Sequence, residues 1–294
     1  MRSIELSNQN SVMERKRISI IGVGLIGGSL AIRLHEKKIS SRLIGVDADP
    51  DHAKLALDLE LVDEVLPLVE AIENSDVLVL AIPVDQLVQL LPTILDKIDR
   101  QVVMDLGSTK SQLIRAIKDH PKRGRYVATH PMWGTEYSGP GAAVKNAFDN
   151  KAVIICNAKE SDEDALDWVR QMYKKIGMHL LEMEAEAHDL HAAYVSHISH
   201  ITSFALANTV LEKEKEEQGI FELASAGFES TVRLAKSNPA MWVPIFMQNK
   251  ENVLDVLKEH IAQLERFKES IEKEDHSYLL RLIEDANKIK RIIK

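Results

Sequence analysis

The stretch RISIIGVGLIGG, residues 17–28, constrains the fold more than any other segment. A β-branched apolar run ends in glycines, and LIGGSLAIRLHEKK then spaces its apolar residues as a helix does. Gly22, Gly24 and Gly27 stand in G-x-G-x-x-G order between the two. In that pattern Gly22 permits a tight turn, Gly24 lets backbone approach a pyrophosphate, and Gly27 allows close helix–strand packing. The phosphate sits at the positive end of the helix. A bare glycine motif is common. A strand before it and a helix after it point to a dinucleotide site, with a ligand-free glycine turn as the plain alternative.

The alternation continues downstream. RLIGVDADP, DVLVLAIPV, QVVMDLGS and RYVATHP read as strands, separated by the helical patterns DHAKLALDLE, VDQLVQLLPTILDKI and TKSQLIRAIKDH. KAVIICNA and MHLLEM add two strands around the helix EDALDWVRQMYKKI. These strands are apolar throughout, which predicts a mostly parallel sheet covered on both faces. After Glu184 the strand signal stops. Residues 186–218 predict one long helix and residues 238–274 another, with Asn238 as N-cap and Pro239 at the first helical position. A chain of 294 residues is long enough for two domains. The expected organisation is a loose tail over 1–14, a Rossmann-type α/β unit over 15–184 and an all-α unit over 185–294.

Charge and cysteine content exclude several roles. The net charge is −8, so the chain gains nothing from counterion release on DNA, and no nucleic-acid partner is expected. The one cysteine, Cys156, sits in an apolar run, rules out a disulfide within one chain and fits a reducing compartment. The opening residues show no signal-peptide pattern, and runs such as VLVLAIPV are too short to span a bilayer. The expectation is a cytoplasmic protein without a membrane partner.

Asp47 ends the second strand about twenty residues past the glycines, where a carboxylate takes ribose hydroxyls. It would repel a 2′-phosphate, so NAD is favoured over NADP; a turn or cap aspartate is the alternative. With the glycines, Leu25, Ile26, Asp47, Pro83 and Ser108 are the expected cofactor-binding residues. Pro83 and Ser108 follow strands at their C-terminal ends, where open α/β sheets bind ligands. His130 ends the RYVATHP strand on that same edge, and Pro131 biases it to extended backbone. An imidazole there can accept a hydroxyl proton as hydride leaves the same carbon, with Ser108 orienting either group. A structural histidine capping a loop is the alternative.

The helical half opens with HDLHAAYVSHISH. At about 100° per residue His197 and His200 share one side, while His188 and His191 point largely away. No H-E-x-x-H or cysteine ligand set is present, so no metal is expected. His200 reads as a substrate contact or a satisfied core histidine. Arg233, on a mostly apolar helix, suits a carboxylate ligand or a salt bridge to a glutamate. Trp242 reads as core or subunit contact, and Glu136 as a surface acid.

Taken in order, GVGLIGGSLA, MDLGSTK, HPMWGTEYSG, SHISH and GFESTVRLAKSNPAMW resemble the prephenate dehydrogenases, enzymes of tyrosine biosynthesis. The resemblance covers nearly all of the chain after Met13. It implies oxidative decarboxylation of prephenate to 4-hydroxyphenylpyruvate with NAD⁺ as hydride acceptor. It implies His130 as the catalytic hydrogen-bond acceptor, assisted by Ser108. His200 would line the substrate pocket, Arg233 would bind a substrate carboxylate, and Glu136 would gate or order the pocket. It also implies a homodimer through the helical domain, with Trp242 near the pocket at that interface. Some relatives carry an aspartate where this chain has Ser230, so ion-pair gating through that position does not carry over. Arogenate, with an amine in place of the keto group, is the nearest alternative substrate. A β-hydroxyacid dehydrogenase would place a catalytic lysine on the inter-domain helix, where this chain has SHISH. A non-catalytic NAD sensor is the reading from another class.

Overall fold

The computed structural model describes residues 13–217 and 219–292, so nearly all of the expected tail lies outside the described residues. The strands are β1 (Lys16–Ile21), β2 (Ser40–Val46), β3 (Glu64–Val65), β4 (Val77–Leu80), β5 (Val102–Asp105), β6 (Tyr126–Pro131), β7 (Ala152–Cys156) and β8 (His179–Met183). They form one sheet in the order β3-β2-β1-β4-β5-β6-β7-β8. Helices α1 (Leu25–Glu36), α2 (Pro50–Asp58), α3 (Leu68–Glu73), α4 (Val84–Lys97), α5 (Ser111–Ala116) and α6 (Glu163–Ile176) connect them. The rest is helical: α7 (Ala185–Ala192), α8 (Ile198–Glu214), α9 (Ala226–Val232), α10 (Pro239–Gln248), α11 (Lys250–Glu272) and α12 (His276–Asn287). No helix among the described residues is long and apolar enough to cross a membrane.

The strand order reverses between β1 and β4, the switch point at which open α/β sheets bind dinucleotides. Strands β1 to β6 are parallel to their neighbours, but β7 runs antiparallel to β6, with His130 opposite Ile154. The apolar pattern of KAVIICNA predicts a buried strand and carries no information on direction. Direction follows from the connection: residues 132–151 make no crossover α-helix and return the chain beside β6.

Alternation along the strands sorts the core into two layers. Ile18, Ile20, Val77, Val79, Met104, Val127 and Val153 join one cluster with Leu30, Phe148 and Tyr173. Ile21, Leu78, Leu80, Val103, Tyr126, Ala128 and Ile154 join the other, with Leu87 and Leu91 of α4. Trp242 and Ile245 of α10 and Ala185 of α7 belong to this second cluster. The helical half therefore packs on this side of the sheet, against α4 and α5. Successive side chains on a strand face opposite ways, so His130 shares the side of Tyr126 and Ala128 and looks toward the helical half.

Neither long helix predicted in that half is continuous. A π-turn at Ala193–His197 interrupts the first, and its extra residue rotates every side chain beyond it. The second breaks at Asn249, which is buried. Its side-chain amide donates to the Asp189 carbonyl at 2.6 Å and lies 3.2 Å from His197 Nδ1. Asn238 caps α10 as expected, accepting from Ala240 N at 2.9 Å, and Pro239 opens the helix.

The loop leaving β5 is held by a buried carboxylate. Asp105 accepts from Gly107 N at 2.8 Å, the Tyr126 hydroxyl at 2.6 Å and Thr129 N at 3.1 Å. It is also ion-paired with Lys110, and both side chains are fully buried. Removing one partner of a buried pair leaves the other charge uncompensated, which costs roughly 3–5 kcal/mol. Lys110→Met is therefore expected to lower unfolding stability by about that amount in urea titration. A loss below about 1 kcal/mol, the range of exposed pairs, would contradict this account of the loop.

Candidate active site

The glycine turn is built against the exits of β1 and β4. Gly22 has a φ of +94°, and a Cβ there would lie 2.5 Å from the Ala81 carbonyl oxygen. A Cβ on Gly27 would lie 2.0 Å from the Gly22 oxygen, so both positions exclude a side chain. Gly24 is different: a Cβ there meets nothing within 4 Å, so the space in front of the helix is open. Helix α1 starts at Leu25 with no side-chain cap and no acidic residue in its first turn. The amides opening α1, at Leu25 and Ile26, lie at the positive end of the helix. Uncapped N–H groups at an open helix start suit a pyrophosphate.

Asp47 follows β2 and ties this turn from the side. Its Oδ2 accepts from Val23 N and its Oδ1 from Asp49 N, both at 3.0 Å. A carboxylate has about four lone-pair sites, so two of them stay available for ribose hydroxyls. Pro83 is the N-cap of α4, just past β4, and shares the crevice with Gly22 through Ala81 and Ile82. Ser108 is half-buried on the Asp105-held loop, and its hydroxyl has no protein hydrogen-bond partner among the described residues.

His130 lies three strand spacings from β1, about 14 Å along the C-terminal edge. Its ring is half-buried. Nδ1 lies 2.8 Å from His188 Nε2, and His188 Nδ1 lies 2.8 Å from Asp189 Oδ1. The remaining nitrogen, His130 Nε2, has no protein partner among the described residues and is not sealed from solvent. Burial first, then the neighbouring His188, Lys110 and His197, hold His130 well below the ordinary histidine value of 6.5. A neutral, outward-facing ring nitrogen is a proton acceptor.

The helical half supplies the facing wall. His200 stacks on Trp242 with ring centroids 3.4 Å apart, and its Nδ1 lies 3.1 Å from the Ser196 carbonyl. His197 meets the same indole edge-on at 6.0 Å, and burial pushes it down to about 4. Arg233 lies at the start of a 3₁₀ turn that follows α9, and its Nη1 donates to Glu136 Oε2 at 2.8 Å. Glu136 is held below the usual carboxylate range by its own backbone N–H first and by Arg233 as well. Arg233 thus has the glutamate partner that the sequence left open. The Glu136 loop also docks on the glycine helix, through Val144 N donating to the Ser29 hydroxyl at 2.9 Å.

Two members of the cluster escaped the sequence reading. His188, expected to point away from the histidine group, is buried and bonds directly to His130. The π-turn lies between His188 and His197, so a single helical period misplaces one relative to the other. Asp189 is buried beside it and accepts from Lys110 N and Ser111 N, each at 2.8 Å. Only its position after a helical histidine marks it in the sequence. His191 is exposed.

Comparison with known proteins finds matches over both halves of the chain. Residues 30–182 match the nucleotide-binding domain of prephenate dehydrogenase, and residues 184–285 match the dimerization domain of the same enzyme family. A prephenate dehydrogenase of Bacillus subtilis is 30% identical over 92% of this chain and 74% of its own length. A cyclohexadienyl dehydrogenase of Zymomonas mobilis is 29% identical over 95% of this chain and 96% of its own. The structure of A. aeolicus prephenate dehydrogenase, in complex with hydroxyphenyl propionate and NAD⁺, superposes with a TM-score of 0.85 at 30% identity. That likeness covers 96% of this chain and 99% of the other. A helix-capped glycine crevice, a histidine on the same sheet edge and matches along both halves lead to one assignment: the chain belongs to the prephenate dehydrogenase family.

Proposed function

We propose that this chain oxidatively decarboxylates prephenate to 4-hydroxyphenylpyruvate with NAD⁺, in tyrosine biosynthesis. The observation that carries the reading is His130 on the cofactor edge of the sheet, with Nδ1 on His188 and Nε2 without a protein partner among the described residues. Residues 15–184 form the cofactor unit and residues 185–294 the substrate and dimerisation unit. The crevice fits NAD: α1 is uncapped, Gly24 is open, and Asp47 offers ribose acceptors while repelling a 2′-phosphate. Gly22, Gly24, Leu25, Ile26, Gly27, Asp47, Pro83 and Ser108 would hold it. When bound, NAD⁺ supplies the hydride-accepting ring.

Prephenate carries a carboxylate across its ring from the hydroxyl-bearing carbon. His130 Nε2 takes the hydroxyl proton as that carbon becomes electron-poor. As that carbon gives up its hydride, the ring carboxylate leaves as CO₂, its bonding electrons complete an aromatic ring, and His130 Nε2 returns the proton to the phenolate oxygen. Aromatisation drives the step, so the protein's work is placement and proton transfer. Ser108 orients the hydroxyl. Arg233 receives a substrate carboxylate in place of Glu136, an exchange suited to a half-exposed guanidinium. His200 and Trp242 wall the ring.

The helical half leaves Leu211, Leu223, Met247, Leu264, Ile271 and Leu280 exposed. Apolar surface of that extent suits a second copy of the chain, and we read the protein as a homodimer.

The direct test is NADH formation with prephenate and, separately, with arogenate. Turnover of prephenate is expected, and turnover of neither would remove the reading. His130→Asn is expected to keep NAD⁺ affinity and lose about 10²-fold or more in kcat. Near-normal turnover would take His130 out of the chemistry.

The pH dependence has a definite sign. The active ring is neutral, and its pKa lies well below 6.5 because of burial, His188, Lys110 and His197. With prephenate, kcat/KM is therefore expected to stay level as pH falls to 6.5 and to drop only below it. An acid limb centred at or above 6.5 would contradict the placement of His130.

A further inference from the structure

We propose that His188 and Asp189 are positioning residues that fix the tautomer of His130, leaving His130 Nε2 as the bare, proton-accepting nitrogen. The inference rests on the reading of His130 as the proton acceptor and adds how it is prepared.

The argument starts at Asp189. Its Oδ1 faces Lys110 N and His188 Nδ1, and its Oδ2 faces Ser111 N, all at 2.8 Å. Two of these are backbone donors, which favour the ionised carboxylate, and an ionised carboxylate has no proton to donate to His188. Burial alone would raise its pKa, but the His188 ring and Ser111 outweigh burial and hold it below the usual range. His188 Nδ1 must then carry a proton. In a neutral imidazole with hydrogen on Nδ1, Nε2 is an acceptor. That acceptor lies 2.8 Å from His130 Nδ1, so His130 carries its own proton on Nδ1 and donates it to His188. The lone pair of neutral His130 is left on Nε2, the nitrogen without a protein partner.

The alternative arrangement puts the His130 proton on Nε2, where it would block the reaction. That requires a doubly protonated His188, whose positive charge would lie directly against the ring that must take up a proton. The assigned arrangement needs no extra charge. It also balances during the reaction. The hydroxyl proton bonds to His130 Nε2, the Nδ1 proton stays where it was, and the new positive charge faces a dipole ending on Asp189. His188 and Asp189 lie on α7, whereas His130 lies on β6. The helical half therefore sets the state of the strand histidine. Asn249 at the α10–α11 break holds the Asp189 carbonyl and so braces the same residue from behind.

Two variants and one spectrum test the proposal. His188→Phe keeps an aromatic ring and removes the acceptor. His188→Gln places an amide oxygen near the position of Nε2. Long-range proton–nitrogen correlation on the substrate-free enzyme reads which His130 nitrogen is protonated. The wild type is expected to show hydrogen on Nδ1 and none on Nε2. His188→Phe is expected to lose that single tautomer and about 10²-fold or more in kcat with prephenate, with NAD⁺ affinity unchanged. His188→Gln is expected to recover most of the loss. A wild-type His130 protonated on Nε2, or a His188→Phe enzyme with normal kcat, would overturn the proposal. If His188→Phe fails to fold, the wild-type spectrum decides alone. That spectrum needs no substrate. A wild type with the assigned tautomer but no prephenate turnover would count against the proposed function and leave the tautomer standing.

Discussion

Asp189 ties the two halves of the chain together at the His130 cluster. One carboxylate binds the amides of Lys110 and Ser111 at the start of α5 and the ring of His188 on its own helix. Its backbone carbonyl takes the Asn249 amide. Hydrogen bonds to a charged group contribute roughly 1.5–3 kcal/mol each, so the set outweighs any exposed ion pair in the chain. The tie registers α7 against the β5 loop, and through His188 against β6. Ser108 and His130 owe their relative placement to it, although neither touches Asp189.

Charge in the cluster is arranged so that His130 stays neutral. Lys110 is buried nearby, but Asp105 pairs with it and turns it into a structural clamp on the Ser108 loop. His197 is also held neutral, at about 4, by burial. Arg233 is half-exposed and ion-paired with Glu136. In the proposed function a dianionic substrate would meet its cation at Arg233 and the reacting hydroxyl an uncharged nitrogen at His130, so that attraction and proton acceptance would fall to different residues.

What the sequence made legible was local. The glycine turn, Asp47 at the end of β2, the Asn238–Pro239 helix start and His130 at a strand end each follow from a few adjacent residues. Their geometry is set by backbone rules that a short window contains. The features that escaped depend on contacts between distant segments. β7 lies antiparallel because of a long return loop, and its own composition is that of any buried strand. The π-turn at Ala193–His197 adds one residue to a helix whose apolar pattern hardly changes, yet it decides where His188 faces relative to His197. Asn249 breaks a helix to reach Asp189, a partner sixty positions away. The buried pair of Asp105 and Lys110 reads in sequence as two ordinary charged residues around a turn.

The central claim is spatial: one neutral imidazole, aimed by the helical half, receives the proton of the reacting hydroxyl. A crystal structure of the chain with NAD⁺ and an unreactive ring analogue bearing a hydroxyl measures this directly. The account predicts His130 Nε2 within about 2.6–3.2 Å of the analogue hydroxyl, with Nδ1 still on His188. A hydroxyl bonded to another side chain, with His130 turned away from it, would contradict the account.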